Sequence, residues 1–261
     1  MPAVALALFT FVEGDLIAMP LFKRGDVTIH FEEFGSGYPV LLFAPGGMRS
    51  SIEFWHKSPF DPTVELAKDF RVIAMDQRNA GESRAPITAS DGWDTYTADH
   101  VALLDHLGIR SCHAMGGCIG GPYCLGLIKA IPDRVSAAVL QQTIGLSPKN
   151  RELFFQMFDG WAKALKQERP EIDEKAFTPF RDRMYGRTDF VFNVTRDFVR
   201  TVKTPLLVLL GNDDYHPSET SEEVAKLAPN AEIIRKWKEP EVIRDTVERV
   251  REFLKAHQPR R

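Results

Sequence analysis

The sequence predicts an α/β fold with a doubly wound, mostly parallel sheet and a small helical insertion. Continuous apolar runs such as PVLLFA (residues 39–44) and RVIAMD (residues 71–76) are typical of strands buried on both faces. Stretches with helical spacing of apolar residues separate these runs, and that alternation indicates parallel βαβ units. The length of 261 residues suits one large α/β domain with an insertion.

The predicted elements follow one another in a regular order along the chain. Residues 27–33 alternate as a half-buried strand and end at the turn Gly35-Ser36-Gly37, directly before the buried run at 39–44. A helix over residues 95–109 precedes the strand that leads into Cys118. Further strands are predicted at 71–76, 135–140, 205–211 and 231–237, and further helices at 63–68, 119–130, 218–228 and 241–254.

The chain divides into three parts by pattern. Residues 1–12 form an apolar run that is too short to span a bilayer and has no basic start, and Glu13-Gly14-Asp15 interrupts it. Residues 1–18 are predicted to be an N-terminal appendage or an extra edge element. Residues 19–146 and 201–261 are predicted to build the core. Residues 147–200 break the alternation, are helical in pattern and are rich in phenylalanine, which indicates an insertion.

Composition excludes several classes of function. A formal net charge of -3 gives no electrostatic reason to expect nucleic acid or a membrane surface as a partner. The three cysteines are spaced six residues apart, which fits neither a redox CxxC pair nor a zinc site and favours a reducing cytoplasm. No pattern calls for a metal or an organic cofactor. We therefore expect a small-molecule substrate, with the oligomeric state open and a homodimer compatible with the sequence.

The segment SCHAMGGCIGG (residues 111–121) allows two registers for a nucleophile at a strand-to-helix turn. In one register Ala114 replaces the expected serine, and the chain has no nucleophile. In the other, Cys118 lies between Gly116-Gly117 and Gly120-Gly121. Glycines relieve crowding at such a strained turn, and the N-terminus of the following helix lowers the pKa of a thiol there. The alternative for Cys118 is an inert buried cysteine.

The order of elements resembles the α/β-hydrolase superfamily. Four stretches carry the resemblance: PGGM (45–48), DQRNAGES (76–83), GGCIGG (116–121) and GNDDYHP (211–217). In that superfamily the flanking helices commonly end in Leu-Gly-Ile and Pro-x-Arg-Val at set distances from the nucleophile. Gly108 lies ten residues before Cys118 and Pro132 fourteen after it, which fits those distances. Ala114 would lie six and eighteen residues away, so the resemblance favours Cys118.

The resemblance implies hydrolysis of an ester, thioester or lactone through an acyl-cysteine intermediate. Dienelactone hydrolases of the same superfamily also have cysteine at this turn. The implied oxyanion donors are the backbone amide of Ile119 and one from Gly46, Gly47 or Met48, with Gly47 preferred. Pro45 has no N–H to donate.

The same resemblance makes residues 147–200 the cap of the active site and implies an apolar or aromatic acyl group. Two alternatives stay open at the level of sequence. The protein could be a non-hydrolytic member of the fold, a lyase or an acyltransferase, or a degenerate member that binds a small ligand.

The resemblance places the catalytic acid after the strand that ends at Gly211. Asp214 fits the usual offset from that glycine, whereas Asp213 fits the offset to Pro217, and Asp214 is preferred. The usual histidine should follow the last strand, but Trp237-Lys238-Glu239-Pro240 joins strand to helix directly and contains none. We therefore predict that His216, in the same loop as the acid, acts as the base.

The other histidines are weaker candidates. His56 follows the predicted oxyanion loop, from which it could overhang the pocket. His30 and His113 fall in predicted strands, and His100 and His106 on a predicted surface helix. His257 lies in the C-terminal tail, whose basic ending at residues 258–261 is predicted to be solvated.

Overall fold

The computed structural model describes residues 20–187 and 190–259, so the predicted appendage at residues 1–18 lies outside the described residues. The sheet has the strand order β1-β2-β4-β3-β5-β6-β7-β8. Its strands are β1 Leu21–Arg24, β2 Val27–Phe34, β3 Tyr38–Phe43, β4 Phe70–Met75, β5 Cys112–Gly117, β6 Val135–Gln141, β7 Leu206–Leu209 and β8 Ala231–Ile234. Strand β2 runs antiparallel to β1 and β4, and all other pairs are parallel. The predicted fold class is confirmed.

Helices cover both faces of the sheet. They are α1 Pro62–Glu65, α2 Trp93–His106, α3 Gly120–Ala130, α4 Arg151–Glu168, α5 Phe177–Tyr185, α6 Arg196–Thr201, α7 Ser218–Leu227 and α8 Ile243–Ala256. None of the helices within residues 20–187 and 190–259 is both long and apolar enough to cross a membrane.

The central strand β3 shows why the predicted runs are continuous rather than alternating. Leu41 and Phe43 pack into the core on the face that contains α2 and α3, whereas Val40 and Leu42 pack into the core on the α8 face. Successive side chains of a strand point to opposite faces, so a strand covered on both faces must be apolar at every position. All four of these residues are fully buried.

Two predicted elements differ from the structure. The helix predicted at residues 63–68 is the single turn α1 followed by a 3-10 turn at Leu66–Lys68. The last strand ends at Ile234 rather than at Trp237. Trp237 is instead a buried anchor beyond the strand, and its indole N–H donates to the carbonyl of Leu210 at 2.8 Å.

His100 was predicted to lie on a surface helix, and that prediction is wrong. The side chain is fully buried because this face of α2 packs against the sheet and α3. Its Nε2 is 2.7 Å from the side-chain oxygen of Gln77, and its ring lies 4.3 Å from that of Phe43. Burial and the nearby charge of Arg78 lower the pKa of His100 to about 3.

The segment between β6 and β7 contains α4, α5 and α6 and lies beside the carboxyl edge of the sheet. Its core is a set of buried aromatic rings. Phe154 stacks on Tyr185 at 5.3 Å and meets Phe192 edge-on at 4.7 Å. Phe158 joins the same set through Tyr185 at 6.4 Å and meets Phe180 edge-on at 5.1 Å. The aromatic side chains of α4 and α5 are therefore packed against one another, and part of this set borders the site described next.

Candidate active site

Cys118 occupies the tight turn between β5 and α3. Its backbone φ of 59° lies in the left-handed region, which is rare for a residue with a side chain. The turn is held by three backbone hydrogen bonds. The Cys118 N–H donates to the carbonyl of Gln141 at 3.0 Å, and the Cys118 carbonyl accepts from Gly121 at 3.1 Å and Ile144 at 3.2 Å. Strained backbone held in this way positions a side chain at the edge of the sheet.

The flanking glycines are required by close backbone contacts. A Cβ on Gly116 would clash with the carbonyl oxygen of Gly120, and one on Gly120 would clash with that of Phe43. A Cβ on Gly121 would clash with the side chain of Thr143. Strand β5, the turn and α3 therefore pack more closely than any other residue type would permit.

The structure decides between the two registers. Ala114 is fully buried within β5, paired with Leu41 and Ala138, so it does not lie at the turn. Cys112 and Cys124 are buried, as expected, whereas Cys118 is partly exposed. The residue at the turn is the thiol.

His216 and an aspartate form a pair in the loop that follows β7. The Nδ1 atom of His216 lies 2.7 Å and 2.8 Å from the two carboxylate oxygens of Asp213. A Cβ on Gly211 would come within 2.7 Å of the Cβ of His216, so only glycine lets the loop fold back this closely. The two groups predicted to come from one loop are thus in contact.

The aspartate in this contact is Asp213, which corrects the preference for Asp214. The carboxylate of Asp213 also accepts the backbone N–H groups of Tyr215 and His216, both at 3.0 Å, forming a turn typical of aspartate. This turn directs the carboxylate of Asp213 to the imidazole. Asp214 instead offers its backbone carbonyl to the amide of Asn150 at 2.9 Å.

His216 also faces Cys118. Its Nε2 atom is buried and has no well-aligned hydrogen bond within the part of the chain that the structure describes. The group that interacts with the imidazole on this side is the Cys118 thiol. Cys118, His216 and Asp213 thus form a continuous row.

The ionisation of Cys118 and His216 is coupled. Burial raises the pKa of the Cys118 thiol, but the neighbouring imidazole and charge of His216, with nearby backbone N–H groups, outweigh burial and leave the pKa below its usual value. Burial lowers the pKa of His216, but Cys118 and Asp213 more than compensate and raise it to about 8. Each group therefore favours the charged form of the other, Cys118 as thiolate and His216 as imidazolium.

The backbone N–H groups of Ile119 and Gly46 favour a lower pKa of the Cys118 thiol. Gly46, Gly47 and Ile119 line the pocket beside the sulfur, and Gly46 and Gly47 both have positive φ, 118° and 58°. The assignment of Ile119 with Gly47 or Met48 as the oxyanion donors stays a prediction. Met48 is buried, and its thioether accepts a hydrogen bond from the hydroxyl of Tyr185.

A small pocket of about 190 Å³ opens beside the sulfur. It is bounded by Gly46 and Gly47 on one side and by His216 on another. The rest of its wall is apolar or aromatic: Ile144, Phe154, Met157, Tyr185 and Tyr215. A larger open groove of about 630 Å³ runs along α2 and α3, but it is lined by neither cysteine nor histidine.

Sequence reasoning did not single out Met157, Ile144 or Tyr215. Met157 lies three residues after Phe154 on α4, so both side chains share the helix face that covers the pocket. That spacing is the one signal in the sequence that could have placed Met157 at the site. A Cβ on Gly47 would lie 2.8 Å from the Met157 sulfur, which shows how closely α4 approaches the loop after β3.

The position usually held by the catalytic histidine contains none here. The connection from β8 to α8 holds Trp237, and the ammonium group of Lys238 donates to the side-chain oxygen of Asn212 at 2.7 Å. His56 is exposed, bonded to Asp61 at 2.6 Å, and does not line the pocket. No group of three or more side chains suited to a metal ion occurs among residues 20–187 and 190–259.

Comparison with known proteins agrees with this geometry. Residues 39–203 match the model of the alpha/beta hydrolase fold, and the chain belongs to that family. It is similar to a 2-hydroxymuconate semialdehyde hydrolase of a Pseudomonas species, with 30% identity over 46% of this chain and 42% of that protein. It is also similar to a non-heme haloperoxidase of Rhodococcus erythropolis, with 31% identity over 59% of this chain and 57% of that protein.

The chain spans less than half of the length of the first curated relatives that it matches. Among solved structures, an enol-lactonase from Burkholderia xenovorans has the same fold, with a TM-score of 0.67. The match covers 90% of this chain and all of that one at 19% identity.

Proposed function

We propose that this protein hydrolyses a small ester, thioester or lactone through an acyl-cysteine intermediate at Cys118. The observation that carries the proposal is the row formed by the thiol at the tight turn, the imidazole of His216 and the carboxylate of Asp213. Nucleophilic catalysis needs such a set, a nucleophile next to a base that a third group orients. Family membership supports the same conclusion.

Acylation begins with attack of the Cys118 thiolate on the carbonyl carbon of the substrate. A carbon–sulfur bond forms, and the electron pair of the carbonyl moves onto its oxygen. The amides of Ile119 and of the Gly46-Gly47 loop, which line the pocket beside the sulfur, are the donors that we assign to that oxyanion. The intermediate then collapses, the bond to the leaving group breaks, and the imidazolium of His216 gives its proton to the departing oxygen or sulfur.

Deacylation uses the same residues in the opposite sense. Neutral His216 takes a proton from water, and the hydroxide attacks the acyl carbon. The second oxyanion collapses, the carbon–sulfur bond breaks, and the carboxylic acid leaves. Cys118 returns to thiolate and His216 to imidazolium. Asp213 holds Nδ1 throughout, which fixes the orientation of the imidazole.

The pocket supports a short acyl group. Its volume of about 190 Å³ is below the range of about 300–1,000 Å³ usual for drug-sized ligands. Phe154 and Met157 contribute apolar surface, which suits an aliphatic or aromatic acyl part. Proteins similar to this chain include a semialdehyde hydrolase and an enol-lactonase, so small oxygen-rich substrates are a reasonable starting panel.

The test is intact-protein mass spectrometry during turnover of p-nitrophenyl esters. We expect an acyl adduct that peptide mapping assigns to Cys118, no adduct in Cys118→Ala, and a normal adduct in the control Cys124→Ala. His216→Ala should acylate slowly, whereas His56→Ala, which changes an exposed histidine outside the pocket, should acylate as the wild type does.

Each outcome has a distinct meaning. An adduct that forms and then decays with release of acid supports hydrolysis. An adduct that persists until an added alcohol or thiol removes it indicates an acyltransferase. Absence of any adduct, or unchanged acylation in His216→Ala, would refute the proposed mechanism.

A further inference from the structure

Tyr185 lines the pocket, and within the described residues its hydroxyl has a thioether as its hydrogen-bond partner. Tyr185 is the last residue of α5 and is fully buried. Its O–H donates to the sulfur of Met48 at 3.6 Å. Thioether sulfur is a weak acceptor, and buried hydroxyls are normally paired with oxygen or nitrogen. The single O–H donor of Tyr185 is therefore held only weakly, and an oxygen acceptor in the pocket can replace the thioether as its partner.

The ring of Tyr185 is held in place on several sides. It stacks on Phe154 at 5.3 Å and meets Phe192 edge-on at 5.3 Å and Trp93 at 6.1 Å. Its backbone carbonyl accepts a hydrogen bond from the guanidinium of Arg151 at 2.6 Å, which ties the end of α5 to α4. The hydroxyl is thus pre-positioned, and a ligand that pairs with it need not order the side chain first.

The hydroxyl stays protonated while Cys118 is charged. Burial raises the pKa of Tyr185 well above its usual value, and the nearby Tyr96 and the Cys118 sulfur act in the same direction. A protonated phenol beside a thiolate acts as a donor, so the group that it favours is an acceptor. Tyr185 and Cys118 line the same pocket.

We propose that Tyr185 determines specificity by donating a hydrogen bond to an acceptor oxygen on the acyl group of the substrate. This inference rests on the proposed function and narrows its substrate class to acyl groups that carry a second oxygen, as a ketone or an ether. The leaving group must depart toward solvent, whereas Tyr185 is fully buried. The group that meets Tyr185 is therefore the part that stays attached to the sulfur.

The neighbouring wall makes this discrimination selective. Ile144, Phe154 and Met157 offer no hydrogen-bond donor. A substrate oxygen placed near Tyr185 accepts a hydrogen bond from its hydroxyl. A methyl or methylene group in the same place cannot accept one, so the hydroxyl keeps its hydrogen bond to Met48. An oxygen placed elsewhere in this wall loses its hydration without compensation.

The test uses two pairs of p-nitrophenyl esters matched in shape. The 4-oxopentanoate is paired with the 4-methylpentanoate, and the methoxyacetate with the butanoate. For each pair, kcat/KM is measured for the oxygen-bearing ester and for the hydrocarbon ester. The ratio of the first value to the second is then compared between the wild type and Tyr185→Phe. We expect this ratio to fall about tenfold in Tyr185→Phe for at least one pair, the effect of one neutral hydrogen bond.

Tyr123→Phe is the matched control. Tyr123 is also buried, and its hydroxyl has no hydrogen-bond partner within the described residues, but it does not line the pocket. The ratio should stay at its wild-type value in this variant. The assignment would be overturned if Tyr185→Phe lowered kcat/KM equally for both esters of each pair, or if neither ratio changed.

A second measurement separates failure of this inference from failure of the proposed function. Protection of Cys118 from iodoacetamide by 4-oxopentanamide and by 4-methylpentanamide needs no turnover. Stronger protection by the oxo compound in the wild type, lost in Tyr185→Phe, supports the role of Tyr185 even if no ester is hydrolysed. Equal protection by the two amides would refute it, whatever the esterase assay gives.

Discussion

Replacing Asp213 with asparagine removes one charge from the candidate site and changes little else. The asparagine side chain has the same shape, and its oxygen can still accept the backbone N–H groups of Tyr215 and His216, each at 3.0 Å in the native loop. The loop should therefore keep its conformation. What is lost is the anionic partner of Nδ1 of His216, at 2.7 Å.

The size of the effect follows from the exposure of the pair. A hydrogen bond that involves charged groups contributes about 1.5–3 kcal/mol. The Asp213 side chain is 48% exposed, so solvent screens its charge and the lower end of that range applies. A loss of about 1.5 kcal/mol corresponds to a fall of roughly tenfold in kcat/KM.

The pH dependence provides a second, independent readout. Reaction through the ion pair needs Cys118 as thiolate and His216 as imidazolium, so the rate rises with pH and then falls as pH passes the pKa of His216, about 8. Loss of Asp213 lowers the pKa of His216, which moves the falling limb to lower pH. Asp213 is not among the groups that shift the pKa of Cys118, so the rising limb should change little. The active range should narrow from its high-pH side.

The assay is single-turnover release of p-nitrophenol by stopped flow between about pH 5 and pH 9, which spans both expected limbs. Asp214→Asn is the matched control, because it makes the same substitution one residue away, at a side chain that does not meet His216. We expect its rate and profile to equal those of the wild type. A larger effect in Asp214→Asn, or an unchanged profile in Asp213→Asn, would show that the row of three groups is wrongly assigned.

Three further predictions concern packing, stability and pocket size. Gly116→Ala should unfold the turn or prevent folding, which urea titration would show as a loss of the cooperative transition. Gly160→Ala, at a position where a Cβ meets nothing within 4 Å, should instead stabilise α4 by about 0.5–1 kcal/mol. His100 has a pKa of about 3 when folded and 6.5 when unfolded, so the unfolded chain binds its proton first and stability falls as pH drops below 6.5. By pH 4.5 the free energy of unfolding, measured by urea titration, should have fallen by about 2–3 kcal/mol. His100→Gln should reduce this dependence on pH, and an equal dependence in the wild type and the variant would contradict the assignment. Met157→Ala should raise kcat/KM for octanoyl relative to butanoyl esters by about tenfold, and an unchanged ratio would remove Met157 from the acyl pocket.

The fold class and the residue at the tight turn could be predicted because their signals are local. Buried strands must be apolar on both faces, which leaves continuous runs such as residues 39–44 in the sequence. The turn at Cys118 needs glycine at Gly116 and Gly120, since backbone oxygens occupy the space of a side chain. Each requirement restricts residue type at a known spacing.

His100 shows where local pattern was insufficient. Its helix, α2, has polar residues on several sides, and a histidine there gives no sign of which side faces the core. His100 is buried because α2 packs against α3, and because the side-chain oxygen of Gln77 lies 2.7 Å from its Nε2. Those partners come from parts of the chain that the periodicity of α2 does not describe.

The sequence by itself determined the α/β class, the cysteine at the turn and the loop that carries His216 and two aspartates. The tertiary structure alone decided that Asp213, not Asp214, meets His216, and that His100 is buried. The reason is physical. The side chains of adjacent loop residues point in different directions. Which of them contacts a given partner depends on backbone dihedral angles and long-range contacts, and residue types and spacing do not determine these.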